Sequence, residues 1–479
     1  MSLSVINPRT GEADYTIEPL AGSDIAALAR RLREAQPSWS ALEPYDRAKH
    51  LHGLADAIGR HRQVLIDALT ADTGRAGLSA IEVDTTIRTL LRWAQTAPEL
   101  IRRQQSSGNP TAIPSITTST RLAPYGLVGV ISPWNFPLIL ALIDAIPALA
   151  AGCAVLIKPS EVTPRFIRPL MRAIAEIPAV AGVLSIVEGD GRTGAAMIEL
   201  VDFVAFTGSV ATGRKVAENA ARAFIPASLE LGGKDPMLVL ASADPLKAAD
   251  TALRASVLNT GQACQSIERV YVARDIAEPF LAALVEKAQR VRLNYPDVRA
   301  GDIGPFILQK QAQIVQAQLD DAIAKGARVL TGGRVEVLGG GHYLRPTVIV
   351  DVTPDMAVMT EETFGPVIPV TVFDTADQAV AHANAGLYGL SAAVLAGSIE
   401  EAEAVAARVC AGGVSINDGS LTGLVWETEK SSFGVSGLGP SRMGESGLLR
   451  FFRKQVLIRQ SGAPLPLSAY SEDVVTAEK

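Results

Sequence analysis

Cys264 is the side chain in this 479-residue sequence with the most direct chemical use. A thiolate is a strong nucleophile, and its attack on a carbonyl carbon gives a tetrahedral adduct. Glu230 stands between Leu229 and Leu231 and just ahead of Gly232 and Gly233. A carboxyl held in such apolar surroundings can have a raised pKa and serve as a base. An amide donor such as Asn135 would stabilise the oxyanion that the attack creates. Spacing alone does not bring the three together. A cysteine among alanines is more often a small core residue, and Cys153 and Cys410 take that reading.

Other segments suit a nucleotide. In Gly208-Ser209-Val210-Ala211-Thr212-Gly213, glycine at a strand-to-helix turn lets the backbone approach a phosphate. The helix N-terminus there offers free N–H groups and a partial positive charge. The same residues suit an ordinary helix cap, and the run is not the GxGxxG fingerprint. Lys158 and Glu161 lie just past an apolar run. A carboxylate there can hold both ribose hydroxyls and would repel a 2′-phosphate; a solvated ion pair is the competing reading. The five histidines, His50, His52, His61, His342 and His382, lack zinc-like spacing, so no metal is expected.

These residues need elements to position them. From Gly126 onward strand-like and helix-like stretches alternate. The expected strands are Leu127–Ile131, Ala154–Lys158, Val183–Val187, Phe203–Phe206 and Ala227–Leu231. The expected helices are Leu138–Ala151, Phe166–Ile174, Thr193–Glu199 and Ala211–Ala223. Such alternation implies a doubly wound, five-stranded parallel sheet, whose ligands sit beyond the carboxyl ends of the strands. Polar and glycine-rich residues gather at those ends: Ser132-Pro133-Trp134-Asn135, Lys158-Pro159-Ser160-Glu161, Gly189-Asp190-Gly191, Thr207-Gly208-Ser209 and Glu230-Leu231-Gly232-Gly233. Upstream, Leu28, Leu32, Leu51, Leu54, Ile58, Leu65 and Leu69 recur at helical spacings over residues 22 to 103, and Asp72-Thr73-Gly74 reads as a helix stop. Residues 106 to 119 read as a linker into an extended arm, 116 to 122. Asp244-Pro245 reads as a cap opening a helix to about Leu258. A second α/β region runs to about residue 430, and the last twenty residues look like a tail.

Bulk properties narrow the class. With 44 basic against 50 acidic residues and a formal charge of −6, no basic surface dominates, so nucleic acid is not an expected partner. Three cysteines are too few for a disulfide framework and point to a reducing, cytoplasmic setting. No signal peptide is read at the N-terminus. The most apolar run, residues 138 to 151, is interrupted by Asp144 and Pro147 and is shorter than the ~20 residues of a membrane helix.

Taken together, the segments strongly resemble the aldehyde dehydrogenase superfamily, from Asn7-Pro8-Arg9-Thr10-Gly11-Glu12 to about Ile458. Seven motifs stand in family order. They are Pro133-Trp134-Asn135-Phe136-Pro137, Lys158-Pro159-Ser160-Glu161, Phe206-Thr207-Gly208-Ser209, Leu229-Glu230-Leu231-Gly232-Gly233-Lys234, Asn259-Thr260-Gly261-Gln262-Ala263-Cys264, Glu361-Glu362-Thr363-Phe364-Gly365-Pro366-Val367 and Tyr388-Gly389-Leu390-Ser391. The resemblance implies that Cys264 attacks an aldehyde, that Asn135 and the Cys264 N–H form the oxyanion hole, and that Glu230 activates water to hydrolyse a thioester. It implies a cofactor, NAD, with NADP the less favoured alternative. The implied cofactor-binding set is Ser132, Trp134, Lys158, Ser160, Glu161, Gly191, Thr207, Gly208, Ser209, Leu231, Gly232, Glu362 and Phe364. Within it, Ser209 and Trp134 take the pyrophosphate and Lys158 and Glu161 the adenosine ribose. Gly191 borders the adenine, Glu362 holds the nicotinamide ribose, and Phe364 packs near the ring.

The resemblance also implies an architecture. Residues 1–107 and 127–232 would form the cofactor domain and 233–432 the catalytic domain. Residues 108–126 with 433–479 would form a bridging arm and tail that support a homodimer or homotetramer. The chain departs from the family at Ser432-Phe433-Gly434-Val435-Ser436-Gly437-Leu438-Gly439, where Pro-Phe-Gly-Gly is usual, and at Arg442, a usual glycine. Ile139, Leu140 and Ile143 follow Asn135 by one and two turns, which favours an apolar aliphatic, aromatic or isoprenoid-like aldehyde over a charged semialdehyde. The alternatives are a CoA-acylating relative, which generally lacks the glutamate base, a thiol esterase, and a catalytically silent scaffold.

Overall fold

The computed structural model describes residues 2–472. The helical start is four helices, Gly22–Ser40, Pro44–Arg60, Arg62–Thr73 and Ala76–Gln104. Leu32, Leu51, Leu54, Ile58, Leu65 and Leu69 are buried among them, with Leu28 packed at the edge. The third helix stops at Gly74, which is left-handed with φ +67°. A Cβ there would meet Pro305 Cγ at 2.6 Å, so glycine is required both for the turn and for the close approach.

The first sheet has the spatial order Gly437–Leu438, Ala227–Glu230, Phe203–Thr207, Leu127–Ile131, Ala154–Lys158, Leu184–Ile186. Five strands are parallel, as expected. The sixth, two residues long and antiparallel beside Glu230, was not foreseen. Strand order reverses at Leu127–Ile131, flanked by the strands of Lys158 and Thr207. A crevice opens at such a switch point.

The helix expected over residues 138 to 151 is two, Pro137–Leu142 and Ala145–Ala151. Pro147 has no N–H to continue the ladder, and Asp144 at the break turns its carboxylate to Arg442 and Arg450. Asp144 and Arg450 are almost fully buried and Arg442 nearly so. Burial pushes the Asp144 carboxyl up, but the two guanidinium groups outweigh it and hold the carboxyl below the ordinary carboxylate range. This contribution to stability is therefore complete above the unfolded value of 3.8 and lost as pH falls through the lower folded value. Asp144→Asn leaves two buried cations short of a counter-charge. Urea unfolding is expected to show a loss of about 3–5 kcal/mol; a loss near zero would mean that the network is solvated.

The second sheet has seven strands in the order Arg328–Thr331, Thr347–Val350, Val367–Phe373, Ile267–Ala273, Asp235–Val239, Ser391–Leu395 and Gly413–Ile416. All pairings are parallel except the first. The helix Pro245–Val257 opens as expected, with Asp244 accepting from the N–H groups of Leu246 and Lys247.

A three-stranded antiparallel sheet lies apart from both. Ile116–Pro124 pairs along its whole length with Phe452–Gln460, and with Ser106–Pro110 on its other side. The stretch read as a linker therefore begins with a strand. Its residues are polar and mostly exposed, so no apolar alternation marked it. The N-terminal hairpin, Leu3–Ile6 with Ala13–Ile17, was also unread. Phe433–Gly434, at the start of the stretch assigned to the arm and tail, pairs with Tyr388–Gly389 rather than with the three-stranded sheet. Of the expected tail, residues 473–479 lie outside the described residues; Leu467–Tyr470 form a short 3-10 turn. No helix among the described residues is long and apolar enough to cross a membrane.

Candidate active site

Cys264 follows a turn wound against the usual hand. Asn259, Thr260 and Gly261 have φ of +58°, +58° and +69°. Two of these are not glycine and must be held by their surroundings. Asn259 Nδ2 donates to the carbonyls of Gln262, at 2.9 Å, and Asn135, at 3.2 Å. Thr260 Oγ1 donates to the Gly304 carbonyl at 3.0 Å. Gly261 lies against the next loop, where a Cβ would meet the Gly365 carbonyl oxygen at 2.2 Å. The turn delivers Cys264, half-buried, to the wall of a cleft of about 700 Å³.

The same cleft is lined by Ser132, Trp134, Lys158, Ser160, Glu161, Gly191, Thr207, Gly208, Ser209, Leu231, Gly232, Glu362 and Phe364, together with Asn135. Glu230 is not on its lining. It ends the strand Ala227–Glu230, beside Thr207 in register, with its side chain 17 % exposed. Asn135 is buried, and its Nδ2 donates to the Gln262 carbonyl at 3.0 Å. Its own carbonyl accepts from Arg75 Nη2 at 2.9 Å. Burial, reinforced by the carboxylates of Glu362, Asp235 and Glu230, pushes the Cys264 thiol up to about 12. A thiol so held needs a proton acceptor to attack at neutral pH.

Glu362 turns inward. Its Oε1 accepts from the Gly233 N–H at 3.3 Å, and a Cβ on Gly232 would meet its Oε2 at 2.3 Å. Burial, with the charge of Glu268 behind it, raises this carboxyl to about 8. Phe364 meets Trp134 edge to face, centroids 5.4 Å apart. Lys158 Nζ and Glu161 Oε2 are 3.1 Å apart, the lysine buried and the glutamate half-buried. Ser209 caps the helix Val210–Ala223, its Oγ accepting from the Thr212 N–H. Ser132 Oγ, buried at the end of the central strand, has no partner among the described residues. That unpartnered hydroxyl, the capped helix N-terminus and the Lys158–Glu161 pair around one cleft suit a dinucleotide.

Several residues of this site were missed. Arg75, which fixes the Asn135 backbone, looks in sequence like any surface arginine. Glu82, buried and accepting from the N–H groups of Leu138 and Ile139, looks like any helix glutamate. Arg442 stood out only as a departure from the family, yet its Nε lies 3.9 Å from Glu230 Oε1. Asp144, a charge inside an apolar run, was the signal for its partner. Cys153 is buried as expected, whereas Cys410 is exposed rather than a core residue, because it follows the last turn of a helix at the surface. Of the three apolar residues after Asn135, Leu140 lines the cleft; Ile139 and Ile143 are buried away from its lining. No group of three or more His, Cys, Asp or Glu among the described residues is arranged to hold a metal ion.

Known proteins resemble this chain along nearly its whole length. The sequence model described as "Aldehyde dehydrogenase family" matches residues 1–457. A putative succinate-semialdehyde dehydrogenase [NADP(+)] from Mycolicibacterium smegmatis is 36 % identical over 453 residues, covering 94 % of this chain and 87 % of that protein. The structure of putative aldehyde dehydrogenase PutA from Anabaena variabilis superposes with a TM-score of 0.95 at 51 % identity, covering 97 % of this chain and 99 % of that one. Betaine aldehyde dehydrogenase from Staphylococcus aureus, in complex with NAD+, gives a TM-score of 0.90 at 30 % identity over 97 % of this chain and 93 % of that one. A thiol and an amide on one cleft, a glutamate next to its lining residues Thr207 and Leu231, and a match along nearly the whole chain leave one assignment: this protein belongs to the aldehyde dehydrogenase family.

Proposed function

We propose that the protein oxidises an apolar aliphatic, aromatic or isoprenoid-like aldehyde to its carboxylic acid, with NAD as oxidant, through a thioester on Cys264. The observation that carries this reading is one cleft lined by Cys264 and Asn135 together with residues at the ends of the parallel strands, with Glu230 in register beside the lining residue Thr207. Ser209 and Trp134 would hold the pyrophosphate, and Lys158, Ser160 and Glu161 the adenosine ribose. Gly191 would border the adenine, and Glu362 and Phe364 the nicotinamide riboside. Ser132, Thr207, Gly208, Leu231 and Gly232 would complete the wall. When bound, NAD supplies the hydride acceptor.

The chain's own groups do the rest. Cys264 sulfur bonds to the aldehyde carbon as its thiol proton passes to Glu230, and the carbonyl π pair moves to oxygen. The free N–H of Asn135 Nδ2 and the Cys264 N–H stabilise that oxygen. After loss of hydride the acyl group remains on sulfur. Glu230 gives up the thiol proton to solvent, and as a carboxylate again takes a proton from water as the water oxygen bonds to the acyl carbon; the carbon–sulfur bond then breaks to return Cys264 as thiolate.

Glu161 supports NAD, since a carboxylate beside the 2′-position repels a phosphate. The division into a cofactor domain (1–107 and 127–232), a catalytic domain (233–432) and a bridging arm with tail (108–126 and 433–479) is part of the proposal, as is the cytoplasmic setting. Exposed Val456, Leu457 and Ile458 on the outer arm strand support a homodimer or homotetramer. A panel of aldehydes read at 340 nm tests the whole. Turnover without CoA is expected. Apolar aldehydes should exceed succinate semialdehyde by at least about tenfold in kcat/KM, and NAD should exceed NADP by about tenfold or more. Strict CoA dependence would refute the hydrolytic route. A preference for succinate semialdehyde would refute the apolar substrate, and parity between cofactors would remove the role given to Glu161.

A further inference from the structure

Arg442 has no part in the chemistry above, yet it ends beside the proposed base. One edge of its guanidinium is anchored: Nη2 donates to Asp144 Oδ2 at 2.8 Å and to the Thr207 hydroxyl. The other oxygen of Asp144 accepts from Arg450, which also donates to the Ser228 hydroxyl. The side chain of Arg442 is only 9 % exposed and cannot swing away without breaking these bonds. Its free edge faces Glu230. Nε is buried, has no hydrogen-bond partner among the described residues, and lies 3.9 Å from Glu230 Oε1. That separation is ionic contact, longer than a hydrogen bond. Thr207 and Glu230 are neighbours in register on adjacent strands, so Arg442 spans both side chains at once. A buried, charged donor left unmade is unfavourable, and a small rotation of Glu230 would satisfy it.

We propose that Arg442 is a positioning residue for Glu230, its anchored guanidinium holding the carboxylate in the orientation from which it takes a proton from water during thioester hydrolysis. The inference rests on the reading of Glu230 as base. The ion cluster around Glu230 comprises Arg442, Arg450 and Asp144, with the Cys264 thiol on the cleft side. Two guanidinium groups there balance two carboxylates. When Glu230 gains the water proton, its attraction to Arg442 falls, and the carboxyl is released to pass the proton to solvent. Bond making at the acyl carbon and bond breaking at sulfur are unchanged.

The test uses the full-length enzyme with NAD and one accepted aldehyde, comparing Arg442→Gln, Arg442→Lys, Glu230→Gln and the Glu230→Gln/Arg442→Gln double variant. Arg442→Gln is expected to lower steady-state turnover about tenfold, the scale of one charge-assisted bond. The first-turnover release of NADH should keep its amplitude and slow far less than steady turnover, and intact-mass spectra of quenched enzyme should show acyl adduct accumulating. NAD affinity and aldehyde KM should move less than about twofold, and Arg442→Lys should recover to within about threefold. The double variant should be no slower than Glu230→Gln alone. Unchanged turnover in Arg442→Gln overturns the proposal, as does equal slowing of first and later turnovers or further slowing in the double variant. If Arg442→Gln does not fold, Arg442→Met takes its place with the same expected results and the same overturning ones. Glu230→Gln turning over normally would instead remove the base itself, an outcome separate from Glu230→Gln stalling while Arg442→Gln does not.

Discussion

Cys264→Ala abolishes aldehyde-dependent NADH formation, with a loss of about 10⁴-fold or more, while NAD still binds. The size of the effect follows from the chemistry. A free aldehyde has no alkoxide to expel hydride, and the adduct that supplies one needs the sulfur. No other side chain replaces it: Cys153 is buried in the core and Cys410 lies on the surface, outside the cleft. The fold should tolerate the change. Cys264 is half-buried, and the turn before it is held by Asn259, Thr260 and Gly261 through bonds that do not involve the thiol. NAD titration by fluorescence and turnover at 340 nm make the check. Turnover above about one per cent of wild type would remove the nucleophile assignment.

Glu230→Gln separates the two halves of the reaction. One equivalent of NADH per active site is expected in a first phase, followed by steady turnover reduced about 10²–10⁴-fold, the range lost with a general base. Glutamine keeps the shape of glutamate but accepts no proton from water. The first phase survives because a water or buffer base can deprotonate the thiol, more slowly, with Cys264 pushed up to about 12 by its burial and neighbouring carboxylates. That half should therefore quicken as pH rises, over the whole range below 12. The thioester should be visible as a mass increment on Cys264. Steady turnover at the wild-type rate would end the assignment of Glu230 as base, and a missing first phase would place its main role in thiol activation.

Much of the fold is legible in the sequence, for physical reasons that differ by region. The parallel strands are continuous apolar runs such as Leu127–Ile131, buried on both faces, and each is bounded by turn residues. Asp72-Thr73-Gly74 and Asp244-Pro245 carry their meaning locally, in a left-handed glycine and a side-chain cap. The strand Ser106–Pro110 carries no such mark, because it exists through its pairing with Ile116–Pro124 and not through its own side chains. The two-residue strand at Gly437 is likewise made by its neighbour. At the site, residue types suggested a chemistry and the resemblance implied roles, but convergence is a property of three dimensions. Buried Arg75, Glu82 and Arg442 were unreadable for the same reason: a charge acquires meaning from what surrounds it after folding.

The contact of Gly261 with the Gly365 carbonyl has an effect on how the molecule moves. Two backbones meet there with no room for a side chain between them, so the segment bearing the sulfur and the segment bearing Glu362 and Phe364 are mortised together. Neither can slide without carrying the other. Any breathing of the crevice that admits a cofactor or lets a product out must shift nucleophile and ribose-side carboxyl as one block.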